Sequence, residues 1–60
     1  MIFVKDLVKI LKESITIVID LGPDDNNFAR QVIYHEKEHG HLIIDEIYLA
    51  DEKSIGIKVL

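Results

Sequence analysis

"YHEKEHGHLII", residues 34–44, lies between two apolar runs, and the way the chain turns there decides the fold. Upstream, "FARQVIYHE" (28–36) has the β-branched and aromatic content of a strand; downstream, "LIIDEIYLADE" (42–52) has the same. A hairpin joining them, with Glu38, His39 and Gly40 as its three-residue loop, accounts for the pattern. Gly40 then takes the left-handed position such a loop needs. Lys37 falls opposite His41, Glu36 opposite Leu42 and His35 opposite Ile43, with His39 at the tip.

All three histidines of the chain fall in this stretch, beside Glu36 and Glu38. The letters "HEKEH" at 35–39 match the HExxH zinc signature, which works only on a helix, where both histidines share a face. The strand-like flank "RQVIY" and the immediate Gly40 do not supply that helix. A solvated hairpin tip is the plainer reading, and no cofactor is expected. A metal site built from His35, His39 and His41 stays open as an alternative.

Working outward, "FVKDLVKILKES" (3–14) has apolar residues at helical spacing, with Phe3, Val4, Leu7, Val8 and Leu11 on one stripe. "SITIVIDLG" (14–22) alternates Ile15, Ile17, Ile19 and Leu21 with Thr16, Val18 and Asp20, as a strand does. "GPDDNN" (22–27) is a loop, "ADEK" (50–53) a turn, and "SIGIKVL" (54–60) a last strand. The expected fold class is α+β: one domain over residues 1–60, with a single N-terminal helix on a mostly antiparallel four-stranded sheet in the order α-β-β-β-β. Under the hairpin register the middle strands carry Phe28, Val32, Tyr34, Leu42, Ile44 and Tyr48 on one side and Ala29, Ile33, Ile43, Ile47 and Leu49 on the other. One short helix covers only one of these faces, which predicts a homodimer or a protein partner on the other.

Sixty residues bury only ~60% of the surface the unfolded chain exposes, so the stability margin is thin. There is no cysteine, hence no disulfide and no thiolate metal site. The net charge is −4, and residues 15–60 hold nine acidic against four basic side chains. Nucleic-acid binding requires clustered Lys and Arg, so no nucleic-acid ligand is expected; an acidic surface suits a basic protein partner or simple solubility. The longest apolar run, "ITIVI" (15–19), is too short for a bilayer, and "MIFVKDLVK" has charges inside its apolar stretch. The expectation is a cytoplasmic protein with no membrane contact.

Catalytic signals are weak. Ser14 and Ser54 have no local partner that would activate a nucleophile, and Asp45 and Glu46 face opposite ways in a strand. Asp24 and Asp25 lack the ligand spacing of an EF-hand. The sequence predicts no catalytic residue and no enzyme.

The succession "KDLVKILKE", "ITIVIDLG", "DDNN" and "RQVIYHEKEHGH" resembles, over residues 4–44, the N-terminal part of small acidic phage proteins of the type II-A anti-CRISPR group. The shared positions are Asp6, Leu7, Val8, Val18, Gly22, Asp24, Asn26, Gln31 and Gly40. The resemblance implies inhibition of an RNA-guided host nuclease in the bacterial cytosol, by an acidic surface and a hairpin tip reaching the nuclease active site. It maps partner binding onto Asp24, Asp25, Glu36, Glu38, His39, Gly40 and His41. That group continues into helices with a DNA-imitating acidic segment, whereas "DEIYLADEKSIGIKVL" reads as strand. The whole chain is also similar to uncharacterised phage proteins that begin "VKDL", which implies a dimeric accessory protein without inhibitory activity.

Overall fold

In the computed structural model, which describes residues 1–60, the N-terminal stripe forms a helix of only five residues, α1 (Val4–Val8). Past Val8 the backbone continues in tighter turns, Ile10 N–H donating to Leu7 O and Leu11 N–H to Val8 O. Ile10 is 79% exposed and, of residues 9–14, only Leu11 is partly buried, so the second half of the predicted helix has little packing to hold it. A helix this short persists only where tertiary contacts hold it. Val4 supplies them: it is fully buried, and Leu7 and Val8 pack beside it.

The alternating runs form β1 (Thr16–Pro23), β2 (Ala29–Ile33), β3 (Ile44–Asp51) and β4 (Ser54–Val59) in one sheet of order β2-β1-β4-β3. β1 and β2 pair antiparallel, as do β3 and β4, while the central β1–β4 pair is parallel. The fold is therefore α+β and mostly antiparallel, as the sequence predicts. The predicted hairpin between the second and third strands does not form, because β2 and β3 occupy opposite edges. Residues 34–43 instead cross the sheet and contain a second short helix, α2 (Glu36–His39). The element order is α-β-β-α-β-β.

The central pairing explains this. Ile17 and Ile19 of β1 lie opposite Ile55 and Ile57 of β4, and Ile19 and Ile57 are fully buried. The two apolar alternating strands lie side by side at the centre of the sheet, and β2 and β3 take the edges. Gly40 has right-handed backbone (φ −59°), not the left-handed conformation predicted for it. Its lack of a side chain allows close approach: a Cβ there would lie 2.7 Å from Glu36 O and 3.3 Å from Lys5 Cβ. The left-handed residues are Gly22 (φ 84°) and Asn27 (φ 65°), on either side of the β1–β2 turn.

The register also corrects the expectation of two apolar faces. Val32 pairs with Ile19, Ile47 with Ile57 and Leu49 with Ile55, so all three share the helix-bearing face with the core. A register shift between Ile44 and Glu46 sets this alignment. The open face carries Val18, Asp20, Gln31, Ile33, Glu46, Tyr48, Gly56 and Lys58, a chiefly polar set. Val32 and Tyr48 thus lie on opposite sides of the sheet, not on one side as the hairpin register predicted. No helix is long and apolar enough to cross a membrane.

Candidate functional site

The residues singled out in the sequence fall into two separate groups. Asp24 and Asp25 lie in the β1–β2 turn, where Asp24 Oδ1 accepts the amides of Asn26 (2.8 Å) and Phe28 (3.0 Å). That carboxylate is committed to shaping its own loop. Glu36 and Glu38 are exposed on α2, His41 is exposed just after it, and His39 and Gly40 are buried. No hydrogen bond or ion pair links the turn to α2. The hairpin tip that would have presented Glu38, His39, Gly40 and His41 together is replaced by a crossover.

His39 is 7% exposed and holds α2 in place. Its Nδ1 accepts the His35 backbone N–H at 2.9 Å, so in the neutral ring the proton sits on Nε2, 3.8 Å from Glu38 Oε2. The ring centroid is 6.2 Å from that of Tyr34, tilted by 40°. The HExxH letters do fall on a helical turn, contrary to the strand reading, but His35 is its extended cap residue (φ −131°). No group of three or more His, Asp or Glu side chains comes together to hold a metal ion.

The open face carries a polar arrangement that the sequence reading missed. Tyr48 Oη donates to Asp20 Oδ2 at 3.0 Å and accepts from Gln31 Nε2 at 2.9 Å. The ring lies directly over Gly56, where any Cβ would overlap it. Tyr48 on β3 thus passes over β4 to reach Asp20 on β1 and Gln31 on β2, bracing all four strands. The available signal was Gly56 inside "SIGIKV", since a glycine within a strand marks a close approach. Beside the brace lies an open hollow of about 190 Å³ lined by Asp20, Gly22, Pro23, Asn27, Ala29 and Lys58. It is smaller than the ~300 Å³ at which small-molecule clefts begin.

Burial pushes the Tyr48 phenol above its ordinary value near 10, and the hydrogen bond to Asp20 adds to the effect. Burial, and then the charge of Glu36, raises Tyr34 likewise; its hydroxyl is buried without a partner. A phenol raised in the folded state stabilises the fold fully below the unfolded value of about 10. That contribution is lost as pH climbs from there through the folded value. The chain is expected to lose stability above pH ~10, and a Tyr48→Phe variant to lose less across the same range. Denaturant titration in alkaline buffers reads this, and equal slopes for the two proteins would contradict it.

The edge strand β3 carries exposed charge. Asp45, Glu46 and Asp51, with Glu52 in the following turn, are exposed along it, as are Ile47 (48%) and Leu49 (83%). Comparison with family models, curated proteins and solved structures finds no match.

Proposed function

We propose that the chain is a protein-binding module, not an enzyme, whose contact surface for a basic partner is the β3 edge from Asp45 onward, beyond the point where Ile2 O accepts the Ile44 N–H. The observation that carries this reading is the combination along β3 and its following turn: exposed Asp45, Glu46, Asp51 and Glu52 bracket exposed Ile47 and Leu49 along the edge, with Glu46 on the open face and the two apolar side chains on the other. Apolar centres rimmed by like charges suit a partner of opposite sign, and the rim accelerates encounter. The acidic groups proposed from the sequence contribute unequally. Glu36 and Glu38 are free to act, whereas Asp24 is engaged in its turn. The buried ring of His39 is not available to a partner.

The test is a pull-down from bacterial lysate with the wild type and with an Asp45→Asn, Glu46→Gln, Asp51→Asn, Glu52→Gln variant, at low and high salt. The expected result is a basic protein retained by the wild type, lost by the variant and weakened as salt shortens the screening length below ~8 Å. Association should slow by at least about tenfold in the variant. Identical retention by both proteins would overturn the β3 assignment.

The finer reading, carried by the resemblance to type II-A anti-CRISPR proteins, is inhibition of an RNA-guided nuclease in a bacterial host cytosol. It predicts loss of target-DNA cleavage by such a nuclease when the chain is in excess. Unaffected cleavage removes that reading and leaves the binding module standing, as expected of a phage accessory protein.

A further inference from the structure

We infer that the opposite edge, β2, is the seam of a symmetric dimer in which β2 pairs antiparallel with β2 of a second copy. The two edges of this sheet differ in how they are guarded. β3 is interrupted by register shifts near both ends, between Ile44 and Glu46 and between Leu49 and Asp51. A two-fold pairing centred on Tyr48 would also set Asp45 against the partner's Asp51. Bulges and charges of this sort are how edge strands avoid joining other chains.

β2 itself has neither device: the one register shift in its pairing, between Asp20 and Pro23, puts the extra residue on β1. All five of its residues are exposed, and no acidic side chain, lysine or proline occurs between residues 28 and 34. Its one charge, Arg30, is folded back on its own hairpin, with Nε donating to Gly22 O (3.2 Å) and Nη2 to Leu21 O (3.0 Å). Phe28 (69%), Ile33 (58%) and Val32 (38%) stand exposed beside it.

The ladder fixes which groups are free. Tyr34 N–H donates to Ile17 O at 3.0 Å, so Ile17 and Tyr34 form a bonded pair. By antiparallel alternation Ile19 and Val32 form the next one. Gln31 and Ile33 therefore turn their backbone N–H and C=O toward the open edge. A two-fold axis at Val32 sets Gln31 opposite the partner's Ile33 and Ile33 opposite the partner's Gln31, satisfying both pairs of outward groups. It sets Val32 against the partner's Val32, and Arg30 against the partner's Tyr34. No like charges meet. A two-fold contact of this kind closes on itself, so the assembly stops at two copies and leaves both acidic β3 edges free at the ends of an eight-stranded sheet.

The inference does not depend on the β3 reading, and its test is separate from that one. The mass of the purified chain in solution, measured by sedimentation across concentration, should approach twice 6.9 kDa. Val32→Lys places two ammonium groups face to face and should raise the dimer dissociation constant by at least about tenfold. Val32→Glu should do the same, and mixing the Lys and Glu variants should restore the dimer; that recovery distinguishes a lost seam from a lost fold. Leu49→Lys on β3 should leave the mass at the dimer value. A wild-type mass of 6.9 kDa at every concentration would overturn the inference. So would a dimer indifferent to Val32→Lys, failure of the mixture to recover, or a dimer broken by Leu49→Lys.

Discussion

Ile57→Ala should leave the chain without a cooperative thermal transition. Ile57 is fully buried, in register with Ile19 on one side and Ile47 on the other. Truncating a buried isoleucine to alanine costs about 2–5 kcal/mol. A core in a chain of this size rarely supplies more than about 3–5 kcal/mol in all. Only Val4, Ile19 and Ile57 form the fully buried apolar centre, so the surroundings have little with which to refill the space. Far-ultraviolet circular dichroism on heating is the measurement. Leu49→Ala, at an 83% exposed position, serves as the control and should change stability by less than about 0.5 kcal/mol. A sharp wild-type-like transition in Ile57→Ala would mean that the centre of the core has been misplaced.

Gly56→Ala should destabilise strongly in one background and not in the other. In the wild type an added Cβ overlaps Tyr48 Cζ and Cε2, so the ring must swing away and release Asp20 and Gln31. Overpacking and two lost hydrogen bonds together cost about 1–3 kcal/mol, or on the order of 10 °C in the unfolding midpoint. Once Tyr48 is itself alanine, the obstacle is gone. The same Gly56→Ala change should then be neutral or stabilising, because glycine is a poor strand residue with costly unfolded-state freedom. The signature is the change of sign in a double-mutant cycle. Additive effects would show that Tyr48 does not rest on Gly56.

Part of the fold is legible in the sequence alone. Val4, Leu7 and Val8 announced the helix by their spacing, and Ile17, Ile19, Ile55 and Ile57 announced two strands by alternation. The loop around Asp24 and Asn27 and the turn at Glu52 and Lys53 were marked by their residue types. The stretch 34–43 was not legible, because a short link between strands favours a hairpin on local grounds. The long-range parallel pairing of β1 with β4, together with the β1–β2 and β3–β4 hairpins, sends β2 and β3 to opposite edges and rules the hairpin out. The same blindness to register hid the Tyr48 brace, whose members Asp20, Gln31, Tyr48 and Gly56 come from four different strands. It also produced the mistaken second apolar face, since Val32 joins the core side through its pairing with Ile19, and Ile47 and Leu49 through a β3 register shifted by a bulge.

The parallel join between β1 and β4 also governs how the chain must reach its native state. Thr16 meets Ser54 across it, a separation of 38 positions in a chain of sixty. Neither hairpin has a core of its own: each contributes one of the two deepest isoleucines, and β4 follows every other element in the chain. Closing so long a loop must precede any reward, which slows collapse and makes it all-or-none. A nascent chain halted before β4 would hold Ile19 without Ile57 beside it, so partial products should be cleared by proteases while the chain that includes β4 endures.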